Sequence, residues 1–314
     1  MLEPMQQITL RVILQAVLGL EAGSPRDDIE GKVQRLLAQG RSQYSLILVK
    51  ILPVTLLQKT RWLPFHRRMH DLNASLYSLI DARRRTPVAA RGENVLADLL
   101  AAAHEDGRPL SDAEIRDALV TLILAGHDTT SIALAWALEQ IVPRPEVVER
   151  ITDELRRITG GAPPSAEHLP RLEYLDAAIR ESMRLRTILP FAVRLTKQTF
   201  VAGGREYPPG VLLCPCSHLV HRRADLYPEP EAFRPERFLE RKYTGHEWFP
   251  FGGGNRTCLG MAFALYEMKA VLGALFTQAS LIRPADGRSA PVRRGVALAP
   301  DDGVRMIVKG RSEN

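Results

Sequence analysis

The chain has few cysteines and lacks the sequence features of a secreted protein. Only three of its 314 residues are cysteines. Such an odd and sparse set forms no disulfide framework and suits a reducing cytoplasm. The N-terminal segment lacks a basic stretch and a small-residue cleavage site, which argues against a signal peptide. We therefore expect a cytoplasmic protein.

The chain also lacks an uninterrupted apolar run of membrane-spanning length. Its most apolar segment, Tyr44 to Leu57, is too short for a span and contains Lys50 and Pro53. The sequence therefore predicts no transmembrane segment. A buried pair of helices is the favoured interpretation of this segment, and a weak contact with a membrane surface is the alternative.

No recognised nucleic-acid-binding motif accompanies the basic charge of the chain. The net charge is +6, and arginines cluster at Arg61, Arg67, Arg68 and residues 83–85. We interpret these clusters as solvated faces, because aromatic residues are not interleaved with them. Binding to nucleic acid or to a membrane surface is kept as a lower alternative.

No Gly/Ser-rich linker and no internal repeat divides the sequence, so a single domain is predicted over residues 1–314. Apolar periodicity predicts runs of helix with segregated small sheets, which is a mainly α (α+β) fold. Helices are predicted at 5–19, 27–39, 66–85, 94–104, 112–142, 145–158, 172–186 and 260–280. Strands are predicted at 191–202 and 211–216, with a further hairpin near 291–309.

The most informative stretch is FGGGNRTCLG at residues 251–260, which places Cys258 in a glycine-rich loop just before an apolar helical segment. A helix N-terminus and the nearby Arg256 both favour the thiolate, which is the form of cysteine that binds metal. Glycines let the backbone turn tightly and approach a flat partner closely. A single thiolate with no second ligand nearby suits an axial haem ligand better than a zinc cage.

The pattern F-x-x-G-x-R-x-C-x-G resembles the haem-binding loop of the cytochrome P450 family, and Ala264 and Glu267 continue the family spacing C-x-G-x-x-x-A-x-x-E. The resemblance implies a P450-like helical fold and a b-type haem (heme b, iron protoporphyrin IX) whose iron is bound by Cys258. The other residues that it places at the haem from this part of the chain are Phe251, Gly252, Arg256, Gly260 and Ala264.

A long apolar helix is predicted upstream, from Asp112 to Val142. Ser111 and Glu114 form a capping-box pattern at its start, and Pro143 ends it. Residues 125–130, Ala-Gly-His-Asp-Thr-Thr, form a polar segment in its middle. Seen alone, such a segment is typically a satisfied polar kink in a core helix.

The family resemblance assigns chemistry to this polar segment. It implies that Ala125 and Gly126 lie at the haem and that Gly126 makes room for dioxygen. It further implies that Thr129 hydrogen-bonds dioxygen and that Asp128 relays protons toward it.

Two further motifs follow in the order expected from the resemblance. Glu181 and Arg184 share one helix face and can pair, and the resemblance implies that they are buried and joined by Arg237 in a structural lock. Downstream, the resemblance implies that Arg194 contacts a haem propionate, as guanidinium geometry allows. It places four apolar residues at the substrate cavity: Leu189, Phe191, Ala192 and Val193.

The remaining metal-ligand candidates lack suitable spacing. Cys214 and Cys216 are too close together for a zinc site and have no second pair, so burial in a strand is expected. His218 and His221 lie three apart with no third ligand at useful spacing, so a packed or surface role is expected.

The resemblance implies a haem-thiolate monooxygenase that takes an apolar substrate, dioxygen and electrons from a ferredoxin- or flavodoxin-type donor. It also implies an N-terminal region ahead of the segment that begins here at Met1, and no W-x-x-x-R pattern of that region occurs before the long helix. We therefore expect an N-terminally truncated form of the family fold that binds haem weakly. The alternative to a working enzyme is a non-catalytic haem-binding fragment or pseudoenzyme.

Overall fold

The computed structural model describes residues 1–21, 23–40, 64–285, 287 and 289–311. The apolar segment from Tyr44 to Leu57 and the basic residue Arg61 lie outside the described residues.

Ten α-helices occur in the described part of the chain. Eight of them correspond to the predicted helices, with ends that differ by a few residues. Two helices of four residues each, Ser217–Val220 and Arg237–Glu240, were not predicted, because a single turn carries no periodic pattern. The helices are α1 (Leu2–Leu18), α2 (Ser24–Gly40), α3 (Pro64–Arg85), α4 (Val95–Ala101), α5 (Asp112–Ile141), α6 (Pro145–Thr159), α7 (Glu173–Leu185), α8 (Ser217–Val220), α9 (Arg237–Glu240) and α10 (Met261–Gln278).

The strands in the described part of the chain form antiparallel pairs: the first pairs with the fourth, the second with the third, the fifth with the eighth and the sixth with the seventh. The strands are β1 (Arg194–Leu195), β2 (Phe200–Ala202), β3 (Arg205–Tyr207), β4 (Leu212–Leu213), β5 (Ala279–Ile282), β6 (Pro291–Arg294), β7 (Ala297–Pro300) and β8 (Ile307–Arg311). The expectation of a mainly helical fold with segregated small sheets is confirmed.

The strand structure predicted within 191–202 consists of two short strands, β1 and β2. The amide N–H of Ala192 donates to the carbonyl oxygen of Pro215 at 3.0 Å. Pro215 has no N–H that could donate the second hydrogen bond of a regular antiparallel pair. Regular pairing therefore does not extend beyond β1 at this end.

The chain forms two compact units, Met1–Met5 with Thr129–Asn314 and Gln6–Asp128. In the first unit, α6, α7 and α10 pack on one another around buried residues such as Leu155, Ile179 and Leu272. In the second unit, α2 packs on α3 within a core that includes Val33, Leu76 and Leu119. The organisation of the whole chain as a single domain stays a prediction.

Helix α5 begins with the predicted capping box. The amide N–H of Ser111 donates to the Glu114 carboxylate at 2.8 Å, and the Glu114 N–H donates to the Ser111 hydroxyl at 3.3 Å. The Ser111 hydroxyl also donates to the Glu114 carboxylate at 2.6 Å, and this bond, aided by the one from the Ser111 N–H, lowers the pKa of Glu114 to about 2. Among the described residues, α5 alone is long and apolar enough to cross a membrane, and half of its most apolar stretch is buried in protein. Core helices of soluble proteins have the same length and composition, so this is weak evidence for a span.

Candidate functional site

The cysteine loop (residues 251–260) leads from a short 3₁₀ turn to the N-terminus of α10, which begins at Met261. The amide N–H of Cys258 donates to the carbonyl oxygen of Phe251 at 2.9 Å, and that of Thr257 donates to Gly254 at 3.0 Å. These bonds fold the loop back on itself and leave the Cys258 thiol exposed. The unpaired N–H groups of the following helix stabilise negative charge at this point.

Glycines shape the loop and leave one side of it open. Gly252 and Gly254 have φ angles of 72° and 65°, in the left-handed region that a side chain disfavours. Apart from the adjacent residues in the chain, no atom of the described residues lies within 4 Å of the position that a Cβ would take on Gly253 or Gly254. The loop therefore presents bare backbone that a flat group can approach closely.

Exposed apolar side chains follow Cys258 in the chain, and a guanidinium group contacts the loop. Leu259 is 90% exposed and Phe263, at the start of α10, is 37% exposed. Arg194 donates to the carbonyl oxygen of Gly253 at 3.4 Å, so β1 lies beside the loop. An exposed thiol followed by exposed apolar side chains, with a guanidinium that contacts the same loop, fits a flat apolar macrocycle that carries carboxylates. The residues present therefore fit a haem.

The other predicted cofactor residues of this unit lie in the loop or at the start of α10. Arg256 and Gly260 are exposed, and Ala264 lies one turn into α10 with its N–H bonded to the Gly260 carbonyl at 2.8 Å. Phe251 is half-buried, and its ring lies edge-on to Trp248 with the centroids 6.1 Å apart. Phe251 thus anchors the start of the loop in an aromatic cluster.

No three His, Cys, Asp or Glu side chains in the described ranges lie close enough together to hold a metal ion. Cys216 is half-buried and its Sγ lies 3.3 Å from the carbonyl oxygen of Pro190. The expectation that Cys214 and Cys216 are buried in a strand is wrong for both, because β4 ends at Leu213, Cys214 is exposed and Cys216 precedes α8.

Glu181, Arg184 and Arg237 meet in the interior. Arg184 donates through Nη2 to Oε1 of Glu181 at 2.8 Å and through Nε to Oε2 at 2.7 Å. Arg237, at the start of α9, donates through Nε to the same Oε1 at 3.0 Å. Glu181 and Arg184 are fully buried and Arg237 is 2% exposed. The three charges are therefore desolvated and paired.

Arg184 also holds the irregular segment that follows α8. Its Nη1 donates to the carbonyl oxygens of His221 and Pro230, both at 2.7 Å, and its Nη2 donates to Ala232 at 3.1 Å. Tyr227 is fully buried, with its ring centroid 4.9 Å from the Arg184 guanidinium carbon. One buried guanidinium thus binds three carbonyl oxygens of a segment that forms turns and no strand.

His221 connects this buried set to the cysteine loop. The Phe249 amide N–H donates to Nε2 of His221 at 3.1 Å, and the Gly252 N–H donates to the Phe249 carbonyl at 3.0 Å. Because Nε2 accepts, Nδ1 carries the ring proton. Burial, aided by the charges of Arg184 and Arg222, lowers the pKa of His221 to about 3. The ring therefore stays neutral and keeps accepting at ordinary pH.

Sequence reasoning missed the roles of His221 and Tyr227. The Tyr227 hydroxyl donates to the Glu247 carbonyl, 20 residues away, and His221 accepts from Phe249, 28 residues away. Local spacing contains no signal for such contacts. His221 was considered only with His218, as a metal-ligand pair.

The polar segment of α5 is a continuous part of the helix. His127 and Thr130 are buried, Asp128 and Thr129 are half-buried, and Ala125 is exposed. The helical assignment is unbroken from Asp112 to Ile141, so the polar residues do not end the helix.

Side chains of α1 contact this polar segment within the unit Gln6–Asp128. The Gln6 amide donates to Oδ1 of Asp128 at 2.9 Å, and the Thr9 hydroxyl donates to the His127 carbonyl at 3.1 Å. A Cβ on Gly126 would lie 2.9 Å from Cδ1 of Ile13. Gly126 thus permits close packing of α1, and its predicted role toward dioxygen stays a prediction.

The predicted substrate-pocket residues form an apolar, irregular segment. Leu189, Phe191 and Val193 are 39%, 52% and 49% exposed, and Ala192 is half-buried. Exposed apolar side chains in series indicate a surface that binds an apolar group or packs on one.

Comparison with known proteins places these features in one family. A family model described as Cytochrome P450 matches residues 1–301. Cytochrome P450 135B1 of Mycobacterium tuberculosis (strain ATCC 25618 / H37Rv) is 34% identical over 305 residues, covering 97% of this chain and 62% of that protein. Cytochrome P450 137 of the same strain is 31% identical over 306 residues, covering 98% of this chain and 61% of that protein.

Solved structures give the same family fold. A cyanobacterial CYP120A1 with bound retinoic acid has a TM-score of 0.81 at 28% identity, covering 98% of this chain and 68% of that one. The haem domain of cytochrome P450DA has a TM-score of 0.83 at 24% identity, covering 99% and 68%, and this supports the fold alone. The chain spans about three fifths of the length of the curated relatives it matches, 62% and 61% for the two named above.

Proposed function

The chain belongs to the cytochrome P450 family, and on that premise we propose that it acts as a haem-thiolate monooxygenase. It inserts one atom of dioxygen into an apolar organic substrate and takes electrons from a redox partner. The observation that carries the proposal is the cysteine loop, where an exposed thiol lies between bare glycine backbone and exposed apolar side chains.

The cofactor is a b-type haem. Cys258 binds its iron as the thiolate, while Arg194 and Arg256 neutralise its propionates. The bare backbone at Gly253 and the exposed side chain of Leu259 accept the flat, apolar ring. The haem, when bound, supplies the redox chemistry that activates dioxygen.

Residues of the polar segment handle dioxygen and protons. The Thr129 hydroxyl donates a hydrogen bond to dioxygen, and Ala125 and Gly126 leave space for it. Asp128 takes a proton from solvent water and releases it toward dioxygen, returning to the carboxylate. Each catalytic cycle needs two such protons, because the second oxygen atom leaves as water.

The substrate is an apolar small molecule that is bound by Leu189, Phe191, Ala192 and Val193. Their exposed side chains lose contact with water when an apolar ligand covers them. The relative CYP120A1 was solved with retinoic acid, a long apolar molecule with one carboxylate, which supports this substrate class for the present chain.

The electron donor is a ferredoxin- or flavodoxin-type protein, attracted by the net charge of +6. Opposite charges steer such partners together, and added salt weakens the attraction. The three free cysteines suit a reducing cytoplasm. We place the protein there.

The test is turnover under labelled dioxygen with a haem-loaded protein, an electron donor and a panel of apolar substrates. We expect one labelled oxygen atom in the product. Thr129→Ala should keep haem but divert electrons to hydrogen peroxide, because dioxygen loses a hydrogen-bond donor. Asp128→Asn should slow product formation about 10²-fold or more, as loss of a general acid does.

Unchanged product yield in both variants would refute the assigned roles of Asp128 and Thr129. A chain that binds haem and incorporates no label from any substrate would instead support the non-catalytic fragment. Leu219→Ser is a suitable control, because Leu219 is 67% exposed on α8 and has no assigned role.

A further inference from the structure

One face of α1 is matched to the polar segment of α5. Gln6, Thr9 and Ile13 follow one another at the spacing that brings side chains onto a single helix face. They contact Asp128, His127 and Gly126 respectively, all within the unit Gln6–Asp128.

The buried part of this contact fixes the position of α1 along α5. Thr9 is fully buried and His127 is 3% exposed. The Thr9 hydroxyl lies 3.1 Å from the His127 carbonyl oxygen and 3.0 Å from its Nδ1, so one residue of α5 supplies two of its polar partners. The Gln6 carbonyl oxygen, on its own helix, lies 3.4 Å from the same hydroxyl. Ile13 fills the space that the missing side chain of Gly126 leaves. A shift of α1 by one residue would break the hydrogen bonds and create a clash, so the alignment of the two helices is well defined.

This alignment brings the Gln6 amide to the Asp128 carboxylate. The Nε2 of Gln6 donates to Oδ1 of Asp128 at 2.9 Å. Both side chains are half-buried, so the bond is shielded from full competition with water. An amide donor restrains the carboxylate without adding a cation beside it, and it has no proton of its own to exchange at ordinary pH.

We propose that Gln6 is a positioning residue for Asp128, an inference that rests on the proposed function. Gln6 holds the Asp128 carboxylate in the orientation from which it passes protons toward dioxygen. The proton moves from solvent water to Asp128 and onward, and the Gln6 amide neither gains nor loses one. Side chains that orient a functional group through a hydrogen bond typically contribute about 10–100-fold.

The test compares Gln6→Leu with Gln7→Leu in the haem-loaded chain with electron donor and substrate. Gln7 is exposed on the same helix and provides a matched control. We expect Gln6→Leu to lower kcat about tenfold with KM unchanged and to raise the solvent deuterium isotope effect. Gln7→Leu should leave all three quantities unchanged. Gln6→Asn, which keeps a neutral amide donor on a side chain one methylene shorter, should lose less kcat than Gln6→Leu.

The decisive comparison is made in the Asp128→Asn background. If Gln6 acts through Asp128, Gln6→Leu adds no further loss of kcat there. A tenfold loss in both backgrounds, or full kcat in Gln6→Leu alone, would overturn the inference.

A second measurement does not depend on activity. In urea unfolding, the shift in midpoint for Gln6→Leu with Asp128→Leu should be smaller than the sum of the two single shifts, because both remove one hydrogen bond. Additive shifts would overturn the inference even if turnover is normal. A chain that shows coupling but forms no labelled product in any variant would contradict the proposed function, and with it the catalytic use of Gln6.

Discussion

The buried charge of Arg184 stabilises the fold and makes no contact with Cys258 among the hydrogen bonds of the described residues. Arg184 binds Glu181 through two hydrogen bonds and three backbone carbonyls through two of its nitrogens. His221, whose backbone carbonyl is one of those three acceptors, also accepts the amide N–H of Phe249 on its ring Nε2, just ahead of the cysteine loop. The lock thus supports the loop through a chain of hydrogen bonds and has no need to touch a cofactor.

We expect Glu181→Ala to unfold the protein or to release haem. Removing Glu181 leaves Arg184 and Arg237 buried without their carboxylate, which typically costs about 3–5 kcal/mol. Urea unfolding and the haem content of purified protein measure the effect. Asp225→Ala is the control, because the Arg223–Asp225 pair is exposed and its loss should change little.

A soluble Glu181→Ala protein with full haem content and no turnover would contradict this account. It would show that Glu181 acts in the reaction and not in the fold.

The sequence predicted local contacts from residue spacing, and it predicted one distant contact from the family resemblance. Ser111 and Glu114 lie within one turn, so their reciprocal bonds follow from spacing alone. Joining Arg237 to Glu181 required the family resemblance, because 56 residues separate them. The bond from Gln6 to Asp128 spans 122 residues and belongs to neither kind, so only the structure reveals it.

Helix pairs in this chain approach closely where glycine allows it. A Cβ on Gly126 would lie 2.9 Å from Cδ1 and 3.3 Å from Cγ1 of Ile13, which is itself buried. Contacts this short require the isoleucine or its helix to move. The glycine of α5 is therefore explained by packing against α1, whatever part it has in binding dioxygen.

We expect Gly126→Ala to destabilise the protein although alanine is the better helix former. Overpacking typically costs about 1–3 kcal/mol, whereas the gain in helix propensity is about 1 kcal/mol. Ile13→Val removes Cδ1 and should restore much of the loss in the double variant. Thermal unfolding of the single and double variants measures this rescue.

Gly31→Ala serves as the control for this comparison. Gly31 lies inside α2, where a Cβ would meet only the end of the Arg35 side chain at 3.3 Å. That substitution should stabilise the protein slightly through helix propensity. Equal destabilisation by both glycine substitutions, with no rescue by Ile13→Val, would refute the packing explanation.

Long elements were predictable from sequence and short ones were not. The 30-residue helix α5 has a capping box, sustained apolarity and a following Pro143, and its observed ends agree with the prediction. Strands such as β1 and β4 are two residues long and depend on pairing with each other. Their limits are set by tertiary contacts, including those of Pro215, that no local pattern contains.

At the scale of the whole molecule, burial shifts the pKa of Glu267 and of His221 in opposite directions, so the two groups have opposite effects on how stability depends on pH. Burial raises the pKa of Glu267 to about 7 from its ordinary 4.5, and its Oε1 has no hydrogen-bond partner among the described residues. The folded state therefore binds more protons than the unfolded state between these values, and the free energy of unfolding falls as pH rises through them. His221, with its pKa lowered to about 3 from 6.5, has the opposite effect as pH falls below 6.5.

We expect Glu267→Gln to stabilise the protein at pH 8 and to change little at pH 4. A shift of this size corresponds to about 3 kcal/mol once the carboxyl is ionised in the folded state. Urea unfolding across pH measures the difference, with Glu149→Gln on the exposed face of α6 as the control. If Glu267→Gln gives no gain at pH 8, the carboxyl has a partner that this account omits.

The role proposed for Cys258, as the protein ligand of a haem iron, is tested by the spectrum of the reduced protein with carbon monoxide. The purified chain is titrated with haem, reduced and exposed to carbon monoxide, alongside Cys258→Ala and the control Cys216→Ala. We predict a strongly red-shifted thiolate band for the unmodified chain and for Cys216→Ala, and its loss in Cys258→Ala. A band that persists in Cys258→Ala, or an unmodified chain that gives none at saturating haem, would contradict the account.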